Sequence, residues 1–198
     1  MIKAPTTQIS IDGKRLFNFE SINLKQTINN HHQFKLVIDH DEIETLGSHT
    51  IDASKAWLGK PIVISFDETE FLGIITNINL LQDNGHNGWL EISGYSKTIL
   101  LEQGKHTTSW LNKDLLTILK DTTNIVNLEA EIKPKHKGLL EYEAQYGESH
   151  FSFIQRLCKQ HNEWLYWDGI KLILGKPTLA NPIALQYGRE LTNINMGI

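Results

Sequence analysis

A single cysteine, Cys158, occurs in 198 residues, so no disulfide can form within the chain, and a small secreted scaffold stapled by bridges is excluded. No run approaches the roughly 18 consecutive apolar residues that a membrane-spanning helix needs; Ile62 to Phe66 and Leu172 to Leu174 are far too short. The opening residues, Met1-Ile2-Lys3-Ala4-Pro5-Thr6, lack the apolar stretch of roughly 7–15 residues that marks a secretory leader, which predicts synthesis and folding in the cytoplasm. A basic excess is missing too. The 19 Lys and Arg face 23 Asp and Glu, a formal charge of −4, which argues against a general affinity for nucleic-acid phosphates. With 40% hydrophobic and 21% charged residues, the composition is that of an ordinary globular protein able to bury one good core or two small ones.

Catalytic signatures are equally scarce. There is no Gly-x-Ser-x-Gly elbow, no Gly-x-x-x-x-Gly-Lys-Ser/Thr phosphate loop and no Gly-x-Gly-x-x-Gly dinucleotide turn. Neither tandem repeats nor low-complexity stretches occur.

What the sequence does contain, from Gln8 to about Gln103, is a series of short strands. Ile9 and Ile11 alternate with polar neighbours and lead into Asp12-Gly13, a two-residue hairpin turn. Ile22 and Leu24, Phe34 to Ile38, Ile62 to Phe66, Phe71 to Leu81 and Trp89 to Tyr95 supply further strands, the last two separated by the turn-rich 83–88 stretch. A short helix over 52–58, closed by Gly59 and followed by Pro61, is placed to plug a barrel end. Six or so strands with tight turns predict a closed or nearly closed β-barrel, with a sandwich as the competitor.

Beyond residue 103 the period changes. Asn112 is the expected N-cap of a helix over roughly 113–122, whose apolar stripe is Leu115, Ile118 and Leu119. Strands are predicted near 126–132 and 139–146. Ser149 then caps a second helix with the stripe Phe151, Ile154, Leu157, Cys158 and His161. Glu163 to Trp167, Asp168-Gly169 and Ile170 to Leu174 read as a hairpin with a two-residue turn. Charge divides at the same boundary: residues 1–103 hold 8 basic and 13 acidic side chains, and 104–198 hold 11 and 10. The expected fold class is therefore mainly β with an α+β part, a small β-barrel over 1–103 followed by an α+β domain over 104–190. The alternating run from Arg189 to Ile198 is expected to open a further strand or barrel in 191–198.

Each residue cluster with chemical potential has a plain structural alternative. Cys158 late on an apolar helical stripe reads as a buried small hydrophobe, and His161 three residues on as a helix-end residue. His31-His32 and His40-Asp41-Glu42 are the richest metal candidates among nine histidines, without the convergent spacing of a zinc motif. Asp39, Asp41, Glu42 and Glu44 lack the glycine and terminal glutamate of a calcium loop and read as a solvated turn. Lys133-Pro134-Lys135-His136-Lys137 reads as an exposed basic loop. Trp164, Tyr166 and Trp167 offer a stacking platform, with Glu148 and Glu163 as nearby acids for a carbohydrate-binding or hydrolytic module; hairpin packing is the alternative. No residue is designated as catalytic, cofactor-binding or metal-ligating, and no cofactor is expected.

One segment carries more. Tyr146-Gly147-Glu148-Ser149-His150-Phe151-Ser152-Phe153-Ile154-Gln155-Arg156-Leu157, followed by Glu163 to Trp167, resembles the Tyr-x-Glu-Ser-Asp-Phe-x-Phe-Ile-x-Arg-Leu signature of the VgrG family, the spike proteins of type VI secretion systems. His32 to Ile38, Phe71-Leu72-Gly73-Ile74-Ile75-Thr76 and Gly94-Tyr95-Ser96 resemble that family's early and barrel-closing strands, in the same order. His150 departs from the family's aspartate, a change that touches helix capping. The resemblance implies a phage tail hub-like fold and a structural role without catalysis: a homotrimeric hub that docks to a hexameric tube protein, contacts baseplate subunits and carries effector cargo, delivered outside the cell or into a target cell. A phage tail or extracellular contractile particle would use the same fold. The family's second barrel, neck and needle have no counterpart in these 198 residues, so the chain is expected to be a fragment of a longer spike or a short hub.

Overall fold

The computed structural model describes residues 6–42, 54–67, 69–83, 86–177, 182–189 and 193. Twelve strands, two α-helices and two 3-10 turns appear among them. Seven strands form one antiparallel sheet: β1 (Thr7–Ile11), β2 (Lys14–Leu16), β3 (Ser21–Lys25), β4 (Gln33–Asp39), β5 (Pro61–Phe66), β6 (Thr69–Asp83) and β7 (His86–Ser96). Their spatial order is β2-β1-β5-β6-β7-β4-β3, and the sheet curls into a half-barrel with β2 and β3 at its two edges.

The curl follows from the side-chain pattern. Along each long strand every second residue is apolar and buried: Ile9 and Ile11, Phe34, Leu36 and Ile38, Ile62 and Ile64, Phe71 and Ile75, Leu90 and Ile92. One face is therefore a continuous apolar surface that has to wrap on itself and on a neighbour to leave water. Register shifts between Ile75 and Asn77 and between Leu81 and Asp83 mark bulges in the β6–β7 pair, the first in β6 and the second in β7, which sharpen the bend. The Asp12-Gly13 turn forms as expected, with φ of 50° and 77° at its two central positions, the positive-φ pair that a two-residue hairpin needs. Of the helix expected over 52–58, the described part is a helical turn over 54–59, closed by Gly59 at φ 77°. Glu44 and the opening residues of that helix lie outside the described residues.

The second half is α+β. A 3-10 turn (Lys97–Glu102) leads into β8 (His106–Asp114), followed by α1 (Leu115–Asn124), β9 (Ala130–Lys133), β10 (Leu139–Glu148), α2 (His150–Gln160), β11 (Leu165–Trp167) and β12 (Leu172–Gly175). β8 and β10 make a two-stranded antiparallel ribbon, and β11-β12-β9 a three-stranded mixed sheet with β9 parallel to β12. The start of α1 corrects the sequence reading. Asn112 is inside β8 at φ 49°, and Asp114 is the cap, its carboxylate accepting from Thr117 N at 2.8 Å. The β11–β12 connection is also longer than the Asp-Gly dipeptide suggests. Trp167 pairs with Leu172, leaving four loop residues, because the Asp168 carboxylate accepts from both Ile170 N (2.9 Å) and Lys171 N (2.8 Å). The strand-like run expected from Arg189 to Ile198 lies largely outside the described residues.

At Gly94 of β7 the neighbouring strands β6 and β4 leave no room for a side chain. A Cβ there would fall on the carbonyl oxygen of Ile74 and lie 2.8 Å from the Phe34 ring. Gly94→Ala is expected to cost about 2–3 kcal/mol through displaced backbone and a shifted Phe34, measured as a lower urea midpoint at unchanged m-value.

Candidate interaction surface

The segment Tyr146–Leu157 joins the half-barrel to the ribbon, and nearly every residue in it has a structural task. Gly147 at φ 62° sits at the bulge between Tyr146 and Glu148. Ser149 Oγ accepts from Ser152 N at 3.1 Å and so caps α2, and His150, where the resembled signature has aspartate, leaves that cap intact. The Phe151 ring stacks on His31 at 3.7 Å, and Gln155 donates to the carbonyl of Asn29 at 2.6 Å, both reaching the chain between β3 and β4. Phe153 stacks on Trp110 of β8 at 5.2 Å, and the Arg156 guanidinium also lies over its ring, 5.2 Å from the centre.

Arg156 anchors the helix to β10. Its three nitrogens donate to Glu143 Oε1 (2.9 Å), Glu148 Oε1 (2.9 and 3.3 Å) and the carbonyl of Ala144 (2.6 Å), an arrangement only a planar fork can satisfy. These bonds to Glu148 and Glu143 raise the already high pKa of the guanidinium further. Glu148 is thereby committed to a structural ion pair.

The other sequence candidates resolve as follows. Cys158 is fully buried, and desolvation pushes its thiol up to about 12, which removes it as a nucleophile. His161 is the C-cap of α2. His31 is buried between Phe151 and Tyr95, with its ring nitrogens 2.7 Å from Thr98 Oγ1 and 3.2 Å from Glu102 Oε1; His32 is buried beside it. His40, Asp41 and Glu42 form a 3-10 turn in which Glu42 accepts from Asn18. Among the described residues no three His, Cys, Asp or Glu side chains are gathered in metal-binding geometry, and no helix is long and apolar enough to cross a membrane. In the basic loop, Lys133 pairs with Glu131, and the backbone N–H groups of Lys135 and His136 donate to Glu163 Oε1. Of the three aromatics, Trp167 is 1% exposed and Trp164 42% exposed. They border, with Tyr166, Gln26, Ile28 and His32, an open groove of about 460 Å³. Glu148 and Glu163 hold structural partners of their own.

Sequence reasoning missed the ribbon's outer face. Tyr142 opposes Leu111 in register, and these two with Tyr146 are 63%, 66% and 83% exposed on the side away from Phe153 and Arg156. These three side chains make the ribbon's outer face a candidate for contact with a partner. The missing signal was β8 itself, whose Thr107-Thr108-Ser109 stretch lacks apolar alternation.

Comparison with known proteins assigns this combination of a curled seven-stranded sheet, a short clasping helix and a ribbon. Residues 40–175 match the family model of the phage tail baseplate hub (GPD). The chain belongs to that baseplate hub family. Solved structures share the fold. The 43 kDa tail protein of prophage MuSo2 from Shewanella oneidensis superposes with a TM-score of 0.71 at 14% identity, covering 88% of this chain and 55% of that one. The tail protein from Neisseria meningitidis MC58 gives 0.71 at 14% identity, covering 96% and 56%. The E. coli c3393 protein, a type VI secretion component described as similar to the T4 tail proteins gp27 and gp5, gives 0.57 at 14%, covering 79% and 44%. The hub chain thus spans about half the length of these relatives. No curated protein matches it in sequence.

Two measurements test this junction. Arg156→Ala should lower stability by about 2 kcal/mol, because it strands the nearly buried Glu143, and Arg156→Lys should recover only part of that, read from denaturation midpoints. The second concerns pH. Burial lowers the pKa of His31, His32, His150 and His161 below the ordinary 6.5. The unfolded chain therefore binds more protons in that window, so stability is full above about pH 6.5 and falls as pH drops below it. Urea midpoints taken between about pH 7.5 and 5.5 should decline, and a flat profile would contradict the neutral, buried state of these rings.

Proposed function

We propose that this chain is the N-terminal part of a spike or hub of VgrG type in a type VI secretion apparatus, acting structurally and without catalysis. In this reading residues 1–103 are the first hub barrel, 104–190 the α+β domain and 191–198 the start of a further strand or barrel. Three copies assemble into a hub that docks to a hexameric tube protein and to baseplate subunits and carries effector cargo. The protein is made in the cytoplasm and delivered outside the cell or into a target cell. The observation that carries the reading is the Tyr146–Leu157 segment. Its residues serve as cap, bulge, stack and anchor between the two halves of a hub fold, which is what a rigid assembly part requires.

A hub in a phage tail or an extracellular contractile particle is the second reading, favoured by the prophage tail proteins among the structural relatives. The carbohydrate module has less support, since Trp167 is buried and Glu148 is held by Arg156.

The test is absolute mass in solution by light scattering at several concentrations. The expected value is three times the 22.6 kDa of the chain. A mass of one chain at every concentration up to about 100 µM would overturn self-assembly by this segment.

A further inference from the structure

Two histidines far apart in sequence meet at the start of α2. His150 is the first residue of the helix and His106 the first of β8, and their rings lie flat on each other, 3.9 Å between centres and 10° between planes. His150 is only 3% exposed. Hydrogen bonds around it decide which of its nitrogens carries the proton. Gln145 Nε2 donates to the Glu148 carbonyl at 2.9 Å, which turns the amide oxygen of Gln145 toward His150, and the ring's Nδ1–H donates to that oxygen at 3.2 Å. Nε2 is therefore the bare nitrogen, and it is enclosed without a partner, where the rule is that buried polar atoms are paired. His106 Nε2 donates to the Gln103 carbonyl at 2.8 Å, which ties the stack to the chain leaving the 3-10 turn.

A proton arriving at His150 goes on Nε2, and its surroundings oppose it there. That atom has no acceptor. The ring sits at the positive pole of the helix, and a second histidine is stacked on it. The nearby carboxylates are engaged elsewhere: Glu143 and Glu148 of β10 by Arg156 of α2, and Glu102 at the end of the 3-10 turn by His31. Lys105, next to His106 in the chain, adds positive charge. Burial first and His106 second accordingly hold the pKa of His150 below the ordinary 6.5. At the other end of α2, His161 lies at the negative pole, and Glu143 and Glu163 pull it toward its charged form. Acid therefore strains the first turn of α2 more than the last.

We propose that the His106–His150 stack is an acid-operated latch on the first turn of α2. Neutral rings hold that turn against the start of β8. When both rings carry protons, their repulsion opens the stack, and the turn lets go of β8 and of the 3-10 turn against which α2 packs. Because the folded state resists the proton, the latch is closed above about pH 6.5 and opens as pH falls below it. α2 is the clasp between the two halves, so opening loosens the half-barrel from the ribbon at this corner. The latch does not depend on the hub reading above, since both rings belong to one chain.

The experiment is amide hydrogen exchange on the full chain, followed by NMR at about pH 7.5 and about pH 5.5 and corrected for the pH dependence of intrinsic exchange. The Ser152 and Phe153 amides report on the first turn, since they bond to the Ser149 hydroxyl and carbonyl. Relative to the amides of α1, they should lose protection by about tenfold or more at the lower pH. His150→Gln, which leaves no titratable ring at the helix start, should remove that loss. His106→Phe, which keeps a stacked ring without its charge, should shrink it by at least about threefold. His161→Gln should keep it. Should a variant fail to fold, the wild-type chain still decides. Protection of Ser152 and Phe153 that is unchanged between the two pH values, or that falls no further than in α1, would overturn the latch, as would a full loss retained in His150→Gln.

Discussion

Helix α2 is too short to be stable alone, and the fold depends on its being buried from two sides at once. Eleven residues make three turns, below the length at which an isolated helix forms in water. Six of them are buried, with Phe151 facing the half-barrel and Phe153 facing the ribbon. The curled sheet and the ribbon therefore supply each other's missing cover through one helix. The apolar residues from Ile9 to Leu174 accordingly form one continuous cluster.

Polar chemistry then sets the geometry that apolar burial leaves loose. Arg156 fixes the rotation of α2 about its axis, because a fork with three acceptors on one strand permits a single orientation. Backbone bonds between the halves do the same for the smaller sheet: Asn29 N to the Leu165 carbonyl at 2.7 Å, and Leu72 N to the Gly169 carbonyl at 2.7 Å. This pattern of cross-bracing holds the two halves in one fixed arrangement.

Much of this was legible in the residues, where local and global demands agree. The Asp12-Gly13 turn, the period-2 runs of β4 to β7 and the Ser149 cap are each decided by a few neighbouring residues. β8 was not legible, because one face meets α2 mainly through Trp110 while the other stays open, so no inward alternation marks it. The four-residue loop after Trp167 was hidden in the Asp168 side chain, whose two backbone bonds compete with the tighter turn its dipeptide suggests. The pairing of His136 with His161 depends on a chain reversal through β10 and α2, and no local spacing encodes it.

The half-barrel ends laterally on two brief strands, β2 with Lys14 and Arg15 and β3 with Lys25, all exposed. Open sheet rims are templates for uncontrolled polymerisation, and cationic side chains on short rims repel a second identical rim. Chains of this protein are thus discouraged from zipping edge to edge into fibrils. The rims themselves thus serve as bumpers against stray edge pairing.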